Sequence, residues 1–551
     1  MIKRIVFFLF LSLVFLTAMP PHNPGSGPAT CIVGKPLDQP KDLSRRASIE
    51  ICVILVQFTD NRADTIRRRS ARFDSMFFST GIYTGQPYRQ GSLNDFFREN
   101  SYQVTNVAGG ICGNKWNLSS HPYSYYYDGN YMLSTGYQLA SNAVALVDAT
   151  VNFHQYDLNN DGHIDGVMVV HAGPGGEDTG NINQCWSHAI PSFNYTTGDG
   201  VIIDGATNVP EVNLVTPALD TTLCCIAVMC HELGHVVGLP DLYDGSRNTW
   251  GTGYWSLMGY GAWGAGGNTP WSPSHADAWC KRLVGWQTLT AITANAFGLR
   301  ILDNETHSAG YRVWRNGLVG DTFFVLENRQ NKGFDTPLPG HGLLIWHIDP
   351  RYGSYDNVVD LEEADGEEDL EHGWGIRPDP HYYHDTLGDS GDPYPGAHTV
   401  RLFDNSTFPN SKNNYGAATN VTVRNIIERG DTVICDVLIN SVGADEQADS
   451  RRSAVRVEPN PFRTTTNIRI VSPGGDPERS SRTSGQSAKS IELKIYDAAG
   501  KLVKSFALRN TPYALCWDGN DDSGTPLPAG IYILQGCADG QKFLQKISKL
   551  R

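Results

Sequence analysis

Residues 231–241 read His-Glu-Leu-Gly-His-Val-Val-Gly-Leu-Pro-Asp, and they hold the chain's densest group of metal-binding and proton-transfer side chains. Two histidines four residues apart leave one face of a helix, so both imidazoles can reach a single metal ion. Zinc takes such nitrogens at about 2.0–2.1 Å and, where it does chemistry, uses three protein ligands and keeps one position open. The apolar stretch beginning at Asp220, a suitable N-cap, predicts a buried helix over 220–237. Gly238 permits a sharp turn and Pro240 keeps the helix from resuming, so the chain returns Asp241 towards His231 and His235 as a third, oxygen ligand. Glu232 leaves the helix on another side, where it can take a proton from water and deliver it to a leaving amine. This is the equipment for metal-assisted hydrolysis of an amide. A scheme completed by a distant carboxylate would nominate Glu327, but that residue falls in a β-type run well beyond the motif.

Downstream, Gly253-Tyr-Trp-Ser-Leu-Met258-Gly-Tyr260-Gly sets a methionine in a glycine-rich turn. Placed after a zinc motif, it resembles the Met-turn of metzincin peptidases. The resemblance implies that Met258 floors the zinc site, and that Tyr260 either touches the metal or oxyanion or packs as an aromatic. The run His231–Asp244 resembles the immune inhibitor A family of secreted bacterial metallopeptidases. Further stretches share the likeness: Ser92–Tyr102, Asp157–Gly173, Trp186–His188, Phe324–Gln330 and Gly342–Asp349. Together they span roughly 49–440 and imply an α+β metzincin-like zinc peptidase domain followed by a β-rich domain, with proteins or peptides as substrates. Where many relatives carry an acidic residue after the third ligand, this chain has Leu242, which leaves Asp241 as the well-placed carboxylate.

Asp157-Leu-Asn159-Asn-Asp161-Gly-His163-Ile-Asp165 follows the oxygen-ligand spacing of a calcium loop. Position 12 is Met168, so the bidentate Glu of an EF-hand is missing, and the expectation is a calcium-braced loop before a strand over 166–171. Asp360–Glu371 carries eight acids in twelve residues and no basic side chain. It reads either as a solvated surface run or as a second calcium cage to which Asp389 and Asp392 add ligands. His188, His275 and His347 read as structural histidines, and Arg98 with Glu99 as an ordinary surface pair.

The elements that must position these groups follow from patterning. Ile51–Phe58 is a continuous apolar run suited to a buried central strand, with another strand expected at 201–204 and helices at 92–100, 136–148 and 273–283. From about 291 helical periodicity fades into short β-type runs separated by Gly, Pro and Asp, and 57 Gly and 30 Pro in 551 residues agree with a loop-rich, β-rich chain. Lys3-Arg4, an apolar run to Leu16 and Thr17-Ala18 form a secretory signal, too short to span a bilayer. The expected division is signal peptide 1–18, linker or short pro-segment 19–48, catalytic domain 49–290, β-rich domain 291–440, linker 441–454 and a C-terminal Ig-like β-sandwich 455–551. That last unit, with Val457-Glu-Pro-Asn-Pro-Phe and Leu527-Pro-Ala-Gly-Ile-Tyr-Ile-Leu, resembles type IX secretion sorting domains and the flagellar-hook-cap Ig-like fold. The likeness implies contact with secretion machinery and a secreted or surface-attached product.

Forty-four Lys and Arg against 58 Asp and Glu give a net charge of −14, which argues against a nucleic-acid partner. Eleven cysteines leave at least one without a partner in the chain. Cys224, Cys225 and Cys230 read as buried thiols, Cys516 with Cys537 as the one pair favoured for a disulfide, and Cys31 as a possible cover for a metal in a latent form. A rival of another class is a surface adhesin or carbohydrate-binding protein on a degenerate peptidase scaffold; an intact Glu232 separates the two, since a binding module has no use for a general base.

Overall fold

The computed structural model describes residues 17–18, 43, 48–81, 83, 91–212, 223–244, 249–264, 267, 269–350, 358–371, 387–439, 455–458, 460–470, 491–497, 501–508, 514–538 and 541–550. The signal segment before Thr17 and Cys31 lie outside the described residues. The chain forms two compact units, Met1–Asn440 and Ser441–Arg551. Among the described residues no helix is long and apolar enough to cross a membrane.

The site-bearing part of the first unit is built on a 7-stranded sheet. Its strands are β1 (Thr17–Ala18), β2 (Ser48–Gln57), β3 (Asn106–Leu118), β4 (His163–Pro174), β5 (His188–Ile190), β6 (Tyr195–Thr196) and β7 (Ile202–Val212). They run in the order β1-β5-β7-β4-β2-β3, with β6 also on β7. Pairings β2–β3, β2–β4 and β4–β7 are parallel, whereas β5 runs antiparallel to β7 and β1 antiparallel to β5. The apolar run in β2 is buried along nearly its whole length, as a parallel strand covered on both faces requires. β3 was not expected from the sequence, because its glycines and polar residues break the apolar alternation.

Among the described residues the α-helices are α1 (Ser70–Phe78), α2 (Leu93–Asn100), α3 (Gly136–Asp148), α4 (Gly176–Thr179), α5 (Ile226–Val236) and α6 (Ala278–Leu283). Ser92 caps α2 in a reciprocal box with Asp95, each side chain taking the other's backbone N–H. Helix α5 starts at Ile226, later than the expected 220, with Cys225 rather than Asp220 at its N-cap. No side chain caps it; instead the Ala227 N–H donates to Pro270 O at 3.1 Å, and Asp220 lies outside the described residues. Helix α6 is likewise shorter than the expected 273–283. Two glycines let α5 lie close on the sheet: a Cβ on Gly205 of β7 would stand 2.9 Å from Val236 Cγ1, and one on Gly166 of β4 3.1 Å.

Residues 289–438 add two mainly antiparallel sheets. One orders Val359–Leu361, Gly342–Ile348, Phe323–Arg329, Gly310–Val313 and Leu289–Ile292; the other orders Leu402–Phe403, Thr422–Arg429, Thr432–Leu438 and Ala296–Leu302. The main core runs across residue 290 without a break, joining Val53, Met229 and Met258 to Phe323, Leu344 and Trp346. Polar groups bind the same junction. Glu99 pairs with His275 Nε2 at 2.9 Å and accepts the Phe334 N–H, so it ties α2 to both neighbours and is not the surface partner of Arg98. Arg329 is buried, donating to Asp335 at 2.6 Å, to Glu305 at 3.3 Å and to the Trp255 carbonyl at 2.9 Å. Glu327 is spent here too, accepting from Trp346 Nε1 and the Ala278 N–H, so it has no part in a metal site.

The second unit holds a 3-stranded sheet of Val455–Glu458, Thr466–Ile470 and Ala514–Trp517, and a 4-stranded sheet of Leu502–Leu508, Ile491–Asp497, Gly530–Ala538 and Gln541–Lys549. All their pairings are antiparallel, around a small core that includes Phe462, Ile468, Trp517 and Leu534. Cys516 is free and exposed, in a different sheet from Cys537, so the favoured disulfide is absent.

Removing the Arg329 charge leaves Asp335 and Glu305 buried without their partner. Arg329→Met is expected to lower stability by about 3–5 kcal/mol, read as a drop in the urea midpoint of the full chain; an unchanged midpoint would show that the junction does not depend on this ion pair.

Candidate metal centre

All eleven residues of α5 are buried, and Val237 is its C-cap. Gly238 follows with φ +102, and the Leu239 N–H reaches back to Gly234 O at 3.0 Å. This is the glycine-terminated helix end expected from sequence, and it turns Asp241 back under the helix.

His231 Nε2 and His235 Nε2 lie 3.1 Å apart, and Asp241 Oδ1 stands 3.2 Å from the first and 3.1 Å from the second. The other ring nitrogen is committed in both cases: His231 Nδ1 to Leu257 O at 2.9 Å, His235 Nδ1 to Leu239 O at 2.8 Å. A carbonyl accepts only, so each Nδ1 carries the proton and each Nε2 presents a lone pair. Three acceptor atoms therefore face one another in a site closed to solvent, with no proton between them. A near-equilateral triangle of that size leaves a point about 1.8 Å from every corner, so an ion just off its plane meets zinc's distance of about 2.0–2.1 Å. Neither carboxylate oxygen of Asp241 takes a hydrogen bond from any donor that would replace an ion. The residues fit a zinc ion.

Protonation states agree. Burial pushes His231 below its ordinary value, against the opposing pull of Asp241, which favours the neutral ring that binds metals. Burial alone would raise Asp241, but the two histidines hold its carboxyl below the usual range.

Glu232, fully buried, lies between the two histidines on α5, and its charge is felt at Cys185, just before β5. Met258 sits beneath the helix turn: a Cβ on Gly234 would fall 2.9 Å from its Sδ. Its own carbonyl accepts the Leu242 N–H at 2.8 Å, and the preceding carbonyl, Leu257 O, is the one that orients His231. The methionine turn thus supports the centre from both sides of the ligand loop.

Tyr260 is buried among Tyr243 and Trp250, with ring centroids 5.9 and 5.6 Å away. The aromatic that reaches His231 is Tyr243, at 6.3 Å, a residue that sequence reasoning passed over although it sits two places after Asp241. Glu177 was also missed. It is buried in α4 and accepts from Ser187 N and Oγ at 3.0 and 2.5 Å, holding the start of β5, and its one sequence cue is the Gly-Pro-Gly-Gly run before it.

Local hydrogen bonds close the loop 157–163. Asp157 accepts from the Asp161 and Gly162 N–H groups at 3.0 Å each, Asn159 from Asp161 N at 2.9 Å, and Asp161 from His163 N at 2.9 Å. The other two expected ligands face elsewhere: His163 Nδ1 contacts Asp204 at 2.8 Å, and Asp165 Oδ2 accepts the Glu50 N–H at 2.8 Å. His188 is structural, between Trp186 O at 2.7 Å and Asn208 at 2.9 Å. Cys224, Cys225 and Cys230 are buried free thiols, as expected.

Residues 40–287 match the family model described as immune inhibitor A peptidase M6, catalytic domain, and residues 472–538 match the FlgD Ig-like domain. The chain is 28% identical over 292 residues to the pre-pro-metalloprotease PrtV of Vibrio cholerae serotype O1, covering 44% of this chain and 30% of that one. It is 33% identical over 160 residues to immune inhibitor A of Bacillus thuringiensis subsp. alesti, covering 25% of this chain and 23% of that one. It thus spans less than a third of the length of these curated relatives. Among solved structures, FlgD from P. aeruginosa is 29% identical, with a TM-score of 0.10, covering 11% of this chain and 52% of that one. Residues 40–287 are thus similar to the catalytic domain of immune inhibitor A, peptidase M6, a metallopeptidase family, and residues 472–538 to the FlgD Ig-like domain.

Proposed function

We propose that the protein is a secreted, zinc-dependent endopeptidase of metzincin type that hydrolyses peptide bonds of extracellular proteins. The observation that carries this reading is the convergence of His231 Nε2, His235 Nε2 and Asp241 Oδ1 at 3.1–3.2 Å, with both Nδ1 protons donated away. Zinc held there supplies Lewis-acid polarisation of the scissile carbonyl and makes water a nucleophile at neutral pH. Glu232 takes the proton from the attacking water and returns it to the leaving amine. Met258 keeps the two histidines in register from below, and Tyr260, if it moves out of its aromatic packing, is the candidate for an oxyanion contact.

Substrate would lie along β5, which packs against α5 and runs antiparallel to β7. An extended peptide can add to such an edge through its main chain, and Thr17–Ala18 already pairs there. The Asp157–Asp161 loop would hold calcium to brace the entry to β4. The C-terminal unit would engage a secretion system and leave the product secreted or surface-attached, the type IX route being the one its motifs resemble. The adhesin alternative is disfavoured by the buried Glu232 beside a complete ligand set.

Glu232→Ala should bind zinc as wild type does while casein hydrolysis falls by about 10²–10⁴-fold, and a chelator should abolish hydrolysis by the wild type. Hydrolysis unchanged by the substitution would favour the binding-protein reading. Gly238→Ala forces a side chain onto a backbone with φ +102 and so displaces Asp241. Zinc affinity, measured by competition with a chromogenic chelator, is expected to fall about tenfold or more. Wild-type affinity in this variant would mean that the turn does not set the third ligand.

A further inference from the structure

Cys52 lies on β2 and Cys112 on β3, both fully buried and both carrying free thiols here. The two strands pair in parallel, with Cys52 opposite Gly110. Side chains two residues apart on a strand share a face, so Cys112 lies on the side of Gly110 and therefore of Cys52. That side looks away from α5: Cys52 pairs with Val167 of β4, one step beyond Gly166, which faces Val236. Gly110 has no side chain to stand between the thiols. The strands are pressed together just before them, since a Cβ on Gly109 would fall 1.7 Å from Ile51 O. After Val53 and Ile111 the register breaks and resumes at Leu55 and Trp116, so Cys112 sits where β3 bulges and need not keep the diagonal spacing of a regular ladder.

The two side chains meet. Cys112 is the hydrogen-bond partner of the Cys52 thiol and the charge that acts on it. Tyr156 covers the pair, hydrogen-bonding Cys112 and feeling Cys52 as well. Other buried thiols of the chain are placed differently: carboxylates act on Cys185 and Cys280, and burial alone on Cys230. Two sulfurs brought together from strands far apart in sequence are what a disulfide needs. A reduced pair has little chemistry open to it, because burial pushes Cys52 well up and keeps it from the thiolate form that attacks substrates or holds metals.

We propose that Cys52 and Cys112 form a disulfide as the chain folds in an oxidising compartment, fastening β3, the outermost strand of its sheet, to β2. The compartment rests on the reading of the chain as exported, whereas the pairing rests on register and contact. The step is thiol–disulfide exchange with an external disulfide, that of glutathione or of a thiol oxidoreductase. One cysteine thiolate attacks that disulfide and expels a thiol, and the second then attacks the mixed disulfide and expels the other. Two S–H bonds are lost and one S–S bond forms, and the two electrons and two protons leave on the reduced external pair. Exchange precedes closure of the sheet, because both sulfurs are afterwards sealed from any oxidant. The bond secures an irregular stretch: Gly113, Asn114 and Lys115 are exposed beside Cys112, with φ +69 and +52 at the first two. Such a stretch on a sheet edge is open to cleavage in a medium that contains peptidases, and the crosslink holds it closed.

The wild-type full chain, folded with glutathione disulfide in the buffer, tests the pairing wherever a cell would place it. Alkylation in denaturant without reductant, followed by peptide mass mapping, should find the Cys52 and Cys112 peptides joined and lighter by two hydrogens than their sum. Cys230, Cys280 and Cys435 should be alkylated in the same sample. Compared with the chain folded in dithiothreitol, the joined form should melt about 3–5 °C higher and be cut more slowly at 113–115 by added subtilisin. Cys112→Ala and Cys52→Ala should each lose the oxidant-dependent rise. Alkylation of both thiols in the folded, oxidant-treated wild type, or a rise that survives in Cys112→Ala, would overturn the proposal. Casein hydrolysis scored on the same samples keeps this apart from the peptidase reading: joined peptides in an inactive chain would sink only the latter.

Discussion

Three electron-pair donors held 3.1–3.2 Å apart in a dry cavity cannot be left without a cation, and the rest of the first unit is arranged around that demand. A hydrogen bond cannot satisfy the trio, because both imidazole protons are already given to Leu257 and Leu239. Each of those carbonyls belongs to a loop that must itself be held: Leu239 follows the glycine turn, and Leu257 precedes Met258. The histidine spacing would be useless if either loop drifted. The helix is therefore pressed onto the sheet at Gly166 and Gly205, and the Met258 loop is braced from the far side by Arg329 and Asp392.

That bracing explains why the β-rich residues beyond 290 share a core with the sheet that carries the centre. Arg329 reaches from the strand Phe323–Arg329 to the Trp255 carbonyl, and Asp392 reaches the indole of the same tryptophan. One tryptophan near the metal centre is thus held at its backbone carbonyl by a cation and at its indole by a carboxylate. Buried charges are costly to desolvate, and Arg329 is tolerated here because Asp335 pairs with it at 2.6 Å.

The ligand set was legible because its information is local. Four-residue spacing, a glycine, a proline and an aspartate within eleven residues encode two ligands and the turn that delivers the third. The orienting carbonyls were not legible, since any residue supplies a backbone oxygen, and only the folded loops decide which one meets an imidazole. Tyr243 escaped notice for the opposite reason: an aromatic in a loop is common, and its contact with His231 depends on the packing of the turn. Glu99 and Asp392 draw their meaning from residues more than a hundred positions away, His275 and Trp255, which no local pattern reveals. The start of α5 was placed too early because Asp220 is a good cap in isolation, whereas tertiary contact with Pro270 supplies the bond that a cap would have made.

X-ray absorption at the zinc edge of the purified full chain bears most directly on this picture. The account predicts one zinc per chain, with two imidazole nitrogens and oxygen donors at about 2.0–2.1 Å and no sulfur. A sulfur shell near about 2.3 Å, a single imidazole, or a chain that retains no zinc after reconstitution would contradict it.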